Sequence, residues 1–161
     1  MYTKAFIGLT FFLSLWSCVS EVNLSKPSSP ALLITQIHHS FVDGNTEQLD
    51  NLLVDKDALI VTLTEKNDET VYAYDAQLFT MATDSKTYNA YKRKLHNSFL
   101  TIKDKPLNWK KTSIQKATYQ TDSLQITIKG LLVVKDDKNR IDSIHFKGVK
   151  LIVVWALTEI Y

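Results

Sequence analysis

The 161-residue chain is 45% hydrophobic and 22% charged, with four glycines and three prolines; these values exclude a disordered or low-complexity protein and fit one domain with its own core. Its formal net charge is +2, and leaving out Lys4 gives 18 basic against 17 acidic residues, so no electrostatic footprint for nucleic acid is visible. The single cysteine excludes a framework of intrachain disulfides.

The amino terminus has the layout of an export signal: Lys4 gives the positive start, residues 5–15 (AFIGLTFFLSL) form an apolar run, and small Ser17 precedes Cys18. The run is shorter than the roughly 20 residues that a membrane-spanning helix needs. Leu15-Trp16-Ser17-Cys18 resembles the bacterial lipobox, in which the cysteine thiol is lipidated; Trp16 is the departure from that pattern. The resemblance implies a cleaved leader over residues 1–17, lipid on Cys18, and an exported protein anchored to a membrane of the bacterial cell envelope. Stable anchoring takes more than one acyl chain, because a single chain holds only marginally. Residues 18–30, with two prolines and three serines near their end, read as a flexible tether, leaving residues 31–161 as a single domain.

Ser29 and Pro30 supply an N-cap and a first-turn proline, and Leu33, Ile34, Ile37, His38 and Phe41 recur at helical spacing until Gly44 stops the helix. Asn45 caps a second, short helix with Gln48 in the capping-box position and Leu49, Leu52 and Leu53 as its apolar face. Residues 57–64 (DALIVTLT) are rich in β-formers and predict a strand, paired through a turn at 66–68 with a second strand at 70–74. Asp75 or Asp84 starts further helix, and Tyr88, Tyr91, Leu95 and Phe99 make one stripe over residues 86–99.

Three extended segments follow, at residues 112–121, 123–135 and 144–160, with residues 136–140 (DDKNR) as the turn into the last; this is a β-meander. Gly130 interrupts the second segment and predicts a bulge or bend. The third is apolar on both faces, Val149, Leu151, Val153, Trp155 and Leu157 on one and Ile152, Val154 and Ala156 on the other, and so predicts one central strand. Its far edge then needs protection, either from earlier strands or from a second copy of the chain paired through the sheet as a homodimer.

Residues 37–62 resemble the opening of the NTF2-like superfamily, which includes the SnoaL and ketosteroid-isomerase-like proteins. The match rests on Phe41, Gly44, Asn45, Leu49, Leu52, Leu53 and Asp57. The resemblance implies an α+β fold in which N-terminal helices pack on a curved antiparallel β-sheet to form a cone, dimers built on the open sheet face, and a pocket for a small apolar ligand or a surface for a protein partner. Tyr72, Tyr74, Phe79, Trp109, Tyr119 and Trp155 are the candidate pocket residues. An isomerase or cyclase would need a carboxylate base in that pocket, for which Asp75 and Asp57 are candidates, with Tyr74 beside them. Core packing for the aromatics and a capping role for Asp75 are the simpler readings.

No nucleophile elbow, phosphate-binding loop or dinucleotide fingerprint occurs. His38 and His39 point about 100° apart on a helix and cannot chelate one ion, and His96 and His145 have no zinc spacing, so neither a metal nor a cofactor is expected. The domain is therefore expected to bind rather than catalyse.

Overall fold

A computed structural model describes residues 26–65, 76–152 and 154–161. Five α-helices precede a four-stranded antiparallel sheet among these residues. Helix α1 spans Pro30–Asp43, opened as expected by the Ser29 side chain accepting from the Leu32 N–H and by Pro30 in the first turn. Gly44 ends it at φ 65° and donates its N–H to the Ser40 carbonyl. The left-handed backbone favours glycine here, and the Lys103 ammonium occupies the space a Cβ would take, 2.0 Å from it. Helix α2 spans Thr46–Leu52, with the Asn45 side chain accepting from the Glu47 N–H. Gln48 turns instead to Asp43 at 2.9 Å, so no capping box closes.

The expected strand at residues 57–64 is helix α3, Lys56–Glu65. A side-chain N-cap and a buried stripe override its β-rich composition. Asp55 accepts from the Ala58 N–H at 2.8 Å, Leu59 and Thr62 bury one stripe, and the Thr62 hydroxyl donates back to the Ala58 carbonyl at 2.6 Å. The partner strand expected at residues 70–74 lies outside the described residues. Helix α4 spans Ala76–Thr83 and helix α5 Ser85–Lys103; Asp84 caps α5 by accepting from the Lys86 and Thr87 N–H groups. Tyr91, Leu95, Phe99 and Ile102 are its buried stripe.

After a 3-10 turn at Trp109–Lys111 come β1 (Ser113–Thr121), β2 (Thr127–Lys135), β3 (Ile141–Leu151) and β4 (Val154–Ile160), hydrogen-bonded in that order. The sheet is open. Two sequence expectations are corrected in it. The final segment is a hairpin rather than one strand: the chain reverses at Ile152, φ 48°, and Val149 then faces Ala156 while Lys150 faces Trp155. Apolar residues run unbroken through that turn, which hides it from pattern reading. Gly130 carries no bulge; it stays in register between Tyr119 and Phe146, and the irregularities fall at Ile114/Lys116 and Lys147/Gly148. The Phe146 ring lies across Gly130, where a Cβ would sit 2.1 Å from Cζ. Close approach, not bending, is what this glycine permits.

One core joins the layers. Leu33, Ile37 and Phe41 of α1 and Phe99 of α5 are fully buried in one cluster with Ile128 and Leu132 of β2 and Ile144 and Phe146 of β3. Phe41 sits 4.5 Å from the Phe99 ring and 4.8 Å from Trp109, between them.

The two edges of the sheet differ. Beside β4, Leu53 pairs in parallel with Leu157, the Pro27 carbonyl accepts from the Trp155 N–H at 2.6 Å, and the Tyr91 hydroxyl donates to the Leu157 carbonyl. The last strand is thus protected from within the chain. At the other edge all nine residues of β1 are exposed, and among the described residues β2 is its only paired strand.

Candidate functional site

Among the described residues, those singled out from the sequence do not converge. Trp109 and Trp155 are each 5% exposed and belong to the core, where the Trp109 indole N–H donates to the Lys103 carbonyl at 2.9 Å. Phe79 packs half-buried against the same cluster, whereas Tyr119 stands 45% exposed on β1. Asp57 is exposed in the first turn of α3. Cys18, Tyr72, Tyr74 and Asp75 lie outside the described residues.

Among the described residues, concave surface gathers around Tyr161. Its ring stacks on His145 with centroids 5.4 Å apart and planes 6° from parallel, while the two residues exchange backbone hydrogen bonds of 2.8 and 2.9 Å. A groove of about 360 Å³ runs from this pair across Leu131 and Lys129 to Thr118 and Gln120. The register places Thr118, Leu131 and His145 in one row across β1, β2 and β3, and Tyr161, just past β4, extends it. A smaller cleft of about 210 Å³ opens between α5 and β4, with Leu95 and Ile160 among its walls and Lys94 and Ser98 on the helical side. A broad trough of about 720 Å³ follows α5 past Arg93, Lys94, Asn97, Thr101 and Lys105.

Among the described residues, several polar groups on these walls and elsewhere already have partners. Tyr91 reaches the cleft, but its hydroxyl donates to Leu157 and accepts from the Val54 N–H at 3.0 Å, and burial pushes the phenol far up, so it is no proton donor near neutrality. Glu159 is paired with Lys147 at 2.8 Å. His38, on α1, bonds through Nε2 to Thr112 Oγ1 at 3.0 Å; because that hydroxyl donates to the Trp109 carbonyl, Nε2 carries the proton. Burial, helped by neighbouring His39, lowers the His38 pKa and keeps the ring neutral. His96 and Lys92 both turn to Asp50, at 2.8 and 3.6 Å. Among the described residues no three His, Cys, Asp or Glu side chains are grouped to hold a metal ion.

Charge is divided along the chain in a way that the near-neutral total conceals. Residues 26–65 carry two basic and six acidic side chains, whereas residues 85–111 carry eight basic and one acidic, Asp104. Segment-by-segment counting would have found this in the sequence; the whole-chain balance cancels it. No described helix is long and apolar enough to cross a membrane. The chain matches no protein-family model, no curated protein and no solved structure.

Proposed function

We propose that the chain is an envelope lipoprotein, tethered to a membrane through lipid on Cys18, whose folded domain is a non-catalytic interaction module that pairs with a second copy through β1. One observation carries the pairing: β4 is covered by Pro27, Leu53 and Tyr91, while the nine exposed residues of β1 leave a row of backbone donors and acceptors with no strand against them among the described residues. Such a row is a template for another extended strand. Lys116 is the only charged residue of β1, and antiparallel pairing centred on Ala117 sets it opposite Thr118 of the other copy, so like charges do not meet.

The NTF2-like relationship belongs to this proposal. It is supported by the helix, Gly44-Asn45 turn and short helix that open the domain and by the antiparallel meander that closes it; α3 in place of a first strand and the open sheet are departures. A small apolar ligand is the second reading, favoured by the Leu95 and Ile160 walls of the cleft beside β4. The isomerase reading has less support, since Asp57 is exposed rather than set in an apolar pocket.

Expression of the full chain with Ala117→Cys tests the pairing in the oxidising envelope. Paired copies put the two thiols at disulfide distance and yield a dimer on a non-reducing gel. A monomer only, with Cys18 lipidated as shown by fatty-acid labelling, would remove the pairing. Equal labelling of wild type and Cys18→Ser would remove the lipoprotein reading.

A further inference from the structure

We infer that the basic face of α5 lies against anionic lipid headgroups of the membrane that holds Cys18, an inference that rests on the lipoprotein reading above. Helix α5 carries Lys86, Lys92, Arg93, Lys94 and Lys103 and no Asp or Glu. Its cations divide by direction. Lys92 turns inward to Asp50, and Lys103 donates to the Phe41 carbonyl at 3.1 Å, so neither is offered outward. Arg93 and Lys94 are exposed and have no ion-pair partner among the described residues. Lys86, Arg93, Asn97, Leu100 and Thr101 share the outward side by helical spacing, and Leu100 is 49% exposed there. Cations interleaved with one projecting apolar side chain along a single helix suit a charged surface with a shallow acyl boundary.

The position of the tether selects the membrane over an acidic protein. Pro27 is fixed to Trp155 of β4, and α5 is fixed through Tyr91 to Leu157 of the same strand. The chain therefore leaves the domain from the strand on which α5 packs. Cys18 lies eight residues before Lys26, a separation that extends to at most about 28 Å, and α5, at 19 residues, is about 28 Å long. An anchor so short keeps the helix near the bilayer whether or not charge attracts it. Each basic residue at an anionic surface then multiplies the docked population about fivefold.

The test uses the full, lipidated chain in vesicles of phosphatidylcholine alone or with about 30 mol% phosphatidylglycerol. An environment-sensitive thiol dye is placed at Thr101→Cys on α5 or at Gln120→Cys on β1, and quenching by brominated lipid is read. Dye uptake is counted first: one dye per chain in each variant shows that Cys18 is blocked by lipid, and two dyes mark failure of the lipoprotein reading, separate from that of the docking. Docking predicts at least twofold more quenching at position 101 with phosphatidylglycerol than without, its loss at about 0.5 M salt, where screening is short-ranged, and its loss in the Arg93→Gln, Lys94→Gln double variant. Position 120 stays unquenched. Equal quenching at 101 in both vesicle types would overturn the inference. So would equal quenching at 101 and 120, or a dye response at 101 to polyglutamate in neutral vesicles without one to phosphatidylglycerol, which would assign the face to an acidic protein.

Discussion

Tyr91 holds Val54 and Leu157 together: its hydroxyl accepts from the Val54 N–H at 3.0 Å and donates to the Leu157 carbonyl, so one side chain of α5 ties the α2–α3 link to β4. Tyr88, one turn earlier, donates to the Val54 carbonyl at 2.8 Å, and both backbone groups of Val54 are thereby satisfied from one helix. Tyr91→Phe leaves a buried donor and a buried acceptor without this partner. At about 1–3 kcal/mol for each such group, the variant should lose about 2–6 kcal/mol of stability, read as a lowered urea midpoint. An unchanged midpoint would show that the two groups find other partners.

Gly130→Ala should destabilise the sheet by about 1–3 kcal/mol, because the new methyl group would overlap the Phe146 ring. Phe146→Leu in the same chain should restore part of the loss. If the double variant proved no better than the sum of the two single ones, contact with the ring would not be the cause.

The β2–β3 turn is organised by Asp136, whose carboxylate accepts from the backbone N–H groups of Asn108, Lys138 and Arg140 and from the Arg140 guanidinium. Desolvation alone would raise its pKa; these hydrogen bonds outweigh it and hold the group well below the usual carboxylate range. A depressed folded-state pKa contributes stability that is present above the unfolded value of about 3.9 and is lost as pH falls towards the folded value. The wild type should therefore weaken progressively in acid below about pH 4. Asp136→Asn should be weaker at neutral pH and show a shallower acid limb. Parallel pH profiles for the two proteins would contradict this.

His38 gives the second pH dependence. Its pKa is lowered by burial and by His39, so the folded state binds the proton less readily than the unfolded chain, whose value is about 6.5. Its stabilising effect is full above that value and falls away as pH drops towards the folded-state value. Urea midpoints measured at about pH 5 and pH 7.5 should differ more for wild type than for His38→Gln, which cannot titrate in that range.

Much of the helical half was legible in the sequence because its boundaries are written in local chemistry. Ser29-Pro30, Gly44, Asn45 and Asp84 act within a turn or two of themselves, and each caps or ends a helix as expected. The failures arose where tertiary context decides. Asp57 to Thr64 reads as strand by composition, but the Asp55 cap and the buried stripe of Leu59 and Thr62 make it helix. Ile152 turns the chain with no Gly, Pro or Asn to announce it. The site around Tyr161 was illegible for a similar reason, since His145, Leu131 and Thr118 become its neighbours only through strand register.

The bond between Pro27 and Trp155 has a mechanical meaning. Any pull entering the domain through its amino terminus meets the strand nearest the other end of the chain before it reaches the first turn of α1. Because β4 is hydrogen-bonded to β3, that pull is shared with the sheet and is not borne by α1 alone. A tether fastened in this way loads the sheet before it loads the helix.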